Sequence, residues 1–375
     1  MDGQLNSVDG EKELYRNAIR NVTEFIGSLP EDSLIRKILV ERWQKKSSIL
    51  EKEAEDIEKL SGDALDWKYV HPLFLFVEAH TREQIFAFKA DLNLIFNGSG
   101  GKARAEILDF LRSRKTEDRK WDSRIFEIFL KARLKRTRES VEFDCPLPNG
   151  RNVDIRTELG GRKVNFECSV LSDSDEDRKV WDEYMEAVEK NLNASPHSRP
   201  GSPYEPQNPL GPSPYYDSVR FYEKVYDKLA QGFDPLKGQI SSDIPNILLI
   251  SIRGVRSPLN PESPGIRWAL DELFSVQPRP GYRGDSSKER IDGTLLGWLL
   301  FKVMQKGISD PMKADALFQE LLTLPRRIAA IFLFDGITFR GVSRLNYNAV
   351  PGIELSHQDM VLLEKVFKTP PEWEL

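Results

Sequence analysis

The sequence predicts an α/β protein in which a mixed central sheet is flanked by helices and preceded by a helical N-terminal domain. From Asp122 onward, the order of patterns is roughly helix, strand, strand, helix, strand, helices, strand, which is typical of a sheet covered by helices. The 375 residues are also enough for two modest domains, each with its own core. We expect a helical domain over residues 1–98 and the α/β domain over residues 102–375.

Residues 11–96 carry the helical signals of the first domain. Apolar residues recur at helical spacing from Leu34 to Leu39, and residues 50–60 are dense in Glu and Lys. The glycine-rich stretch at residues 97–102 then interrupts the pattern and predicts a flexible joint. We expect this domain to bind a protein partner or to position nucleic acid.

Periodicity predicts the elements of the second domain, where helical spacing marks helices and alternation or a short apolar run marks strands. Seven of the residues from Ser195 to Pro214 are proline, so an extended insertion is expected near residues 195–214. In chain order we expect helices at 103–113 and 122–138, strands at 151–158 and 163–171, helices at 177–191 and 215–231, a strand at 244–252, a loop at 275–292, helices at 294–305 and 312–322, and a strand at 327–334.

The composition, 39% hydrophobic and 30% charged, is that of a protein that works in water. No apolar run approaches the roughly 20 residues that a membrane helix requires. The start of the chain is polar and acidic, and Cys145 and Cys168 are the only cysteines. Neither secretion nor a disulfide framework is indicated, so we expect a cytoplasmic protein without a membrane partner.

Residues 154–169 predict a hairpin that brings two acids together. If Gly160 and Gly161 form a two-residue turn, the numbers of paired residues sum to 321, and Asp154 lies opposite Glu167. Opposed residues have Cβ atoms about 5 Å apart, and like charges there destabilise a sheet unless a positive group intervenes. Mg²⁺ or Mn²⁺ would be such a group, because hard cations bind carboxylate oxygens. The bound ion could then polarise a phosphate and activate water.

Other interpretations of this hairpin stay open. Arg156 could neutralise both acids, or the strand could be a solvated edge where the repulsion is screened. A shift of one or two residues in the register would also separate the acids. Cys168 falls on the apolar face of its strand, and we interpret it as a core residue and not as a nucleophile.

The string Val153-Asp154, the short hairpin, the string Glu167-Cys168-Ser169 and a preceding helix with Glu127 resemble the PD-(D/E)xK nuclease superfamily. The resemblance covers roughly Lys102 to Ala349. It implies a restriction-endonuclease-like fold and a nuclease that hydrolyses phosphodiester bonds with Mg²⁺ or Mn²⁺. The implied partner is nucleic acid, with DNA favoured over RNA. By position, the resemblance implies that Asp154 and Glu167 bind the metal and that Glu127 assists them.

Two positions differ from the superfamily pattern. Val153 stands where the pattern has proline, and Ser169 stands where it has the lysine that orients the attacking water. Ser169 could act there only by hydrogen bonding, without a positive charge. Candidate replacements for the missing charge are Lys131, Lys163 and Lys228. The alternative is a nuclease-like fold without catalysis that serves as a nucleic-acid-binding or assembly module.

A basic stretch agrees with a nucleic-acid partner. Between Lys102 and Arg138, thirteen basic residues and six acidic residues give a net charge of +7, within a chain of net charge −5. Affinity for phosphate depends on such local charge. A solvated helical surface would explain the same stretch equally well.

Overall fold

A computed structural model describes residues 8–32, 36–37, 39–40, 43, 82–98, 100–112, 118–137, 140–171, 214–252, 264–275, 294–335 and 341–368. The chain divides into two compact units, residues 1–132 with 372–375, and residues 133–371. The helix predicted at 177–191 lies outside the described residues, as do nearly all of the proline-rich stretch and of the loop at 275–292. The domain boundary near residues 98–102 stays a prediction, although one helix ends at Gly98 and the next begins at Gly101.

The described part of the first unit is helical, as the sequence predicts. Trp43 Nε1 donates a hydrogen bond to Thr23 Oγ1 at 2.9 Å, and the rings of Phe88 and Phe129 lie 5.7 Å apart in its core. No helix among the described residues is long and apolar enough to cross a bilayer. The helices are α1 (Val8–Gly27), α2 (Arg82–Gly98), α3 (Gly101–Arg112) and α4 (Asp118–Thr137), of which α4 continues into the second unit.

The second unit contains a six-stranded sheet flanked by helices, so the predicted α/β class is confirmed. Each strand and helix predicted within its described residues forms, with ends shifted by four residues at most. Four further elements form that the sequence did not predict: a strand at Val141–Pro146, a helix at Pro264–Leu273, a strand at Gly341–Leu345 and a helix at His357–Lys368. The elements are β1 (Val141–Pro146), β2 (Asn152–Leu159), β3 (Arg162–Leu171), α5 (Pro214–Leu229), β4 (Asn246–Ile252), α6 (Pro264–Leu273), α7 (Leu295–Gln305), α8 (Pro311–Thr323), β5 (Ile328–Asp335), β6 (Gly341–Leu345) and α9 (His357–Lys368).

The sheet is mixed, and its strands follow chain order from β1 to β6. Strands β1, β2 and β3 form an antiparallel meander, β4 and β5 add in parallel, and β6 returns antiparallel. Every residue of β4 is buried, which explains why its sequence is an almost unbroken apolar run. The parallel pairing of β3 with β4 requires a crossover connection, and α5 belongs to it.

Helices cover both faces of the sheet. On one face, Leu248 and Leu333 share a core with the buried residues of α5, α6, α7 and α8. On the other face, Phe166 and Phe332 pack edge-on against Phe367 of α9, with ring centroids 5.8 and 5.4 Å away. Because β3 is covered on both faces, a charged side chain on it needs a compensating partner.

The predicted hairpin forms between β2 and β3. The paired residues run from Leu159 and Arg162 to Ile155 and Phe166, which is the register that the sequence predicts. Gly160 and Gly161 have φ values of +60° and +81°, the backbone that a two-residue primed turn requires. The turn chemistry therefore fixes which residues of the two strands meet.

We expect Gly161→Val to lower the free energy of unfolding by about 1–2 kcal/mol, because a β-branched residue is strained at positive φ. Gly160→Asn should cost less than about 0.5 kcal/mol, because Asn tolerates that backbone and a Cβ at Gly160 would meet nothing closer than Asp359 Oδ1 at 3.5 Å. Urea unfolding of the two variants measures the difference. Equal losses would contradict this account of the turn.

Candidate active site

Asp154 and Glu167 lie side by side on neighbouring strands, just beyond the last regular pair of the hairpin. The Asp154 amide donates a hydrogen bond to Glu167 Oε1 at 3.3 Å. The Cys168 amide donates to Asp154 Oδ2 at 2.7 Å. Each carboxylate thus accepts a peptide N–H from the opposite strand, where the regular pairing of Ile155 with Phe166 ends. These bonds bring the two acids together at the open end of the ladder.

Lys228 lies in the last turn of α5, beside the acid pair. Its Nζ atom lies 2.8 Å from Glu167 Oε2. The side chain of Glu167 is 1% exposed and that of Lys228 is 14% exposed, so this ion pair is largely removed from water. Two carboxylates and one ammonium leave the cluster with a charge of −1 when all three groups are ionised.

The pKa values of Glu167 and Lys228 are both raised, but for different reasons. Burial raises the pKa of the Glu167 carboxyl well above its usual value, because the attraction of Lys228 only partly offsets burial and the Asp154 carboxyl adds to it. Burial also lowers the pKa of the Lys228 ammonium, but the charges of Glu167 and Asp154 outweigh burial and raise that pKa overall. Lys228 therefore stays protonated at neutral pH, whereas Glu167 holds a proton more readily than an exposed glutamate does.

Arg156, which could have neutralised the acids, has a different partner. Its Nε atom donates to Asn165 Oδ1 at 2.8 Å, and Asn165 Nδ2 in turn lies 3.4 Å from Asn246 Oδ1. Arg156 therefore belongs to a polar chain across β2, β3 and β4. The cation in contact with Glu167 is Lys228.

The predicted replacements for the missing lysine have different surroundings. Ser169 is buried in β3, in register with Ile250 of β4. Lys163 is exposed near the turn, where it pairs with Glu158 across the ladder. Lys228 is the candidate that the structure brings to Glu167.

Glu127 and Lys131 lie in the first unit and pair with each other along α4. Lys131 Nζ is 2.5 Å from Glu127 Oε1, and Arg124 Nη1 is 2.9 Å from Glu127 Oε2. Burial raises the pKa of Glu127, but the two neighbouring cations outweigh burial and leave that pKa below its usual value. Both residues thus have a local role in their helix, and their predicted role at the acid pair stays a prediction.

Two residues that the sequence analysis missed fix the end of α5. A Cβ on Gly238 would lie 2.2 Å from the carbonyl oxygen of Leu229, so only glycine allows this close approach. Asn149 Nδ2 donates to the Gly238 carbonyl at 2.8 Å, and the Gln239 amide donates to the Lys228 carbonyl at 2.7 Å. The loop before β2 and the end of α5 are therefore tied together, which sets the backbone of Lys228. The string Pro148-Asn149-Gly150 signals a turn, but no local pattern predicts these contacts.

Both cysteines are buried, and neither forms a disulfide. Cys168 is 7% exposed, on the same face of the sheet as Phe166, which confirms the core interpretation. Burial raises the pKa of the Cys145 thiol to about 11, so this thiol is protonated at neutral pH. Protonated, buried thiols are poor nucleophiles.

Several cations of the basic stretch are engaged within their own unit. Arg104 Nε donates to the Phe96 carbonyl at 2.9 Å and links α3 to α2. Arg133 donates to the Phe367 carbonyl at 2.9 Å at the end of α9, and Lys131 pairs with Glu127. These contacts stabilise the fold. A nucleic-acid surface on the rest of the stretch stays a prediction.

We expect Glu167→Gln to stabilise the metal-free protein at neutral pH. A raised pKa means that the folded state binds the Glu167 proton more tightly than the unfolded chain, so stability is lost as the pH rises above the usual value of 4.5. In EDTA at pH 8, the variant should have a higher free energy of unfolding than the wild type, because Gln is neutral like the protonated carboxyl that the folded state favours. Urea unfolding at several pH values should show this gain shrinking as the pH falls towards 4.5.

Glu320→Gln is the matched control, because Glu320 is exposed on α8. Its effect should stay within about 0.5 kcal/mol. A loss of stability in Glu167→Gln at pH 8 would show that attraction to Lys228 outweighs burial.

Comparison with known proteins assigns the chain to no family. Searches against protein-family models, curated proteins and solved structures found no match to the chain. The interpretation of the site therefore depends on the contacts among Asp154, Glu167 and Lys228 and on their chemistry.

Proposed function

We propose that this protein is a divalent-metal-dependent nuclease that hydrolyses phosphodiester bonds in nucleic acid, with DNA as the favoured substrate. The observation that carries the proposal is the position of Lys228, whose ammonium lies 2.8 Å from Glu167. Ser169 leaves β3 without the cation that the superfamily pattern places there. Lys228 supplies a cation beside the same acid from a neighbouring helix.

The order of elements supports a restriction-endonuclease-like core as part of this proposal. Helix α4 precedes the antiparallel strands β1, β2 and β3, and α5 then precedes β4, which is parallel to β3. The resemblance rests on this succession around the acid pair. Strands β5 and β6 extend the sheet beyond it.

The donor atoms suit a hard divalent cation. Asp154 and Glu167 offer only carboxylate oxygens. Mg²⁺ and Mn²⁺ bind such ligands readily, whereas Zn²⁺ in proteins is commonly bound by Cys and His side chains. Within the described residues, no group of three or more His, Cys, Asp and Glu side chains could hold a metal ion. Mg²⁺ commonly takes one or two carboxylates and fills its shell with water and substrate phosphate. Two neighbouring carboxylates therefore fit such an ion.

The residues of the cluster have complementary tasks in hydrolysis. Asp154 and Glu167 would hold the ion, which supplies a Lewis acid for the phosphate and makes water more acidic. Lys228 places a positive charge near the phosphate oxygens, where negative charge develops as the water oxygen attacks phosphorus. The ester bond from phosphorus to the leaving oxygen would break; the attacking water would lose one proton to solvent, and the leaving oxygen would take up one proton from solvent. The products are a phosphate monoester and a free hydroxyl group.

We expect the purified protein to cleave DNA or RNA with Mg²⁺ or Mn²⁺ and not with EDTA. Asp154→Ala and Glu167→Ala should each abolish cleavage, because each removes a carboxylate that would hold the ion. Asp315→Ala is the control, since Asp315 is an exposed acid on α8, and it should cleave at the wild-type rate. Cleavage that survives both changes at the acid pair would overturn the proposal. Salt-sensitive binding without cleavage under either metal would instead identify a non-catalytic nucleic-acid-binding module.

Lys228→Ala should lower the turnover number by about 10²–10³-fold, the usual effect of removing one group that stabilises transition-state charge. Affinity for the nucleic acid should change much less, because other contacts hold the substrate. Single-turnover cleavage and binding titrations measure the two quantities. If Lys228 only supports the fold, Lys228→Ala will lower thermal stability and leave turnover per folded molecule unchanged.

A further inference from the structure

The ion pair between Lys228 and Glu167 occupies the carboxylate that would hold the metal. Glu167 Oε2 accepts from Lys228 Nζ at 2.8 Å, and Glu167 Oε1 accepts from the Asp154 amide at 3.3 Å. Both oxygens of Glu167 thus have a hydrogen-bond partner. Because Glu167 is 1% exposed, little water is present to screen a second cation from the ammonium of Lys228.

A divalent ion and the Lys228 ammonium therefore compete for one buried acid. An ion bound to one oxygen of Glu167 would lie close to an ammonium bound to the other oxygen, and charges of like sign repel strongly where solvent is scarce. The acid pair can neutralise two positive charges, whereas the ion and the ammonium together carry three. One positive charge must then find another anion.

We propose that Lys228 exchanges partners: it holds Glu167 until a divalent ion binds to the acid pair, and then transfers its ammonium to a phosphate group of the substrate. This inference rests on the proposed function, since it assigns the metal to Asp154 and Glu167. The ion pair acts as an internal competitor that weakens metal binding until phosphate is present. Metal and substrate consequently bind with positive coupling.

The backbone around Lys228 favours a movement of the side chain alone. The Gln239 amide holds the Lys228 carbonyl at 2.7 Å, and Gly238 packs against the Leu229 carbonyl. Leu229 itself is completely buried. A lysine side chain has a flexible four-carbon stem that ends in a compact ammonium. The ammonium can therefore change partner while α5 keeps its position.

The test compares Mn²⁺ binding to the wild type, Lys228→Gln and Lys228→Arg by isothermal titration calorimetry, with Mn²⁺ alone and with thymidine 5′-monophosphate as the phosphate probe. Lys228→Gln should bind Mn²⁺ alone about tenfold more tightly than the wild type, because the competitor is gone. Lys228→Arg keeps the charge and should bind Mn²⁺ as weakly as the wild type. The nucleotide should tighten Mn²⁺ binding about tenfold more in the wild type than in Lys228→Gln.

Lys302→Gln is the matched control. Lys302 Nζ lies 2.8 Å from Glu223 Oε1, and this pair also ends on α5, so the variant removes the same charge and the same kind of contact. Its Mn²⁺ affinity should stay within about twofold of the wild type. Melting curves without metal establish that each variant is folded.

A crystal structure of the wild type with Mn²⁺ and the nucleotide gives an independent measurement that requires no variant. Exchange predicts that Lys228 Nζ lies beyond about 4 Å from Glu167 Oε2, outside the range of an ion pair, and within hydrogen-bond distance of the phosphate. An intact Lys228–Glu167 contact beside bound Mn²⁺ would overturn the exchange.

The outcomes separate this inference from the proposed function. Unchanged or weaker Mn²⁺ binding in Lys228→Gln, together with metal-dependent cleavage by the wild type, overturns only the exchange. Absence of Mn²⁺ binding in both proteins overturns the exchange and the metal-dependent function together. Tighter binding in Lys228→Gln, with reduced coupling to the nucleotide, supports the exchange.

Discussion

The carboxylate of Glu167 lies inside a sheet that is covered on both faces, and the arrangement of the site follows from its need for compensation. A buried charge is costly unless it is paired and hydrogen-bonded. Lys228 supplies the opposite charge, and the Asp154 amide supplies a hydrogen bond. Asp154 then adds a second negative charge beside the first. The protein thus maintains two carboxylates and an ammonium side by side in a region poor in water.

Such a cluster contributes little to the stability of a fold in comparison with apolar packing. Apolar side chains of similar volume often replace a buried ion pair without loss of stability. Perturbed carboxyl groups close to a cation, at the open end of a ladder, are instead typical of functional sites. This contrast supports the proposal that the cluster binds a metal and a phosphate.

The position of Lys228 depends on contacts far apart in the chain. The parallel pairing of β3 and β4 requires a crossover, and α5 lies on the face of the sheet that bears Glu167. Gly238 allows the chain after α5 to pass close to Leu229, and Asn149 links that segment to the loop before β2. These contacts connect the end of α5, which carries Lys228, to the loop that leads into β2, which carries Asp154. A change at Gly238 or Asn149 would therefore alter the site without touching it.

The sequence by itself determined the α/β class, the hairpin register and the side-by-side acids, because these depend on local rules. Side-chain periodicity marks helices and strands, and Gly160-Gly161 sets the pairing of β2 with β3. Strands β1 and β6 escaped prediction because they are short and lie at the sheet edges, where little burial shapes their sequence. Only the tertiary structure decided which lysine meets Glu167. Lys228 is 61 residues away in the chain, and its place follows from the crossover and the packing of α5, which no local pattern encodes.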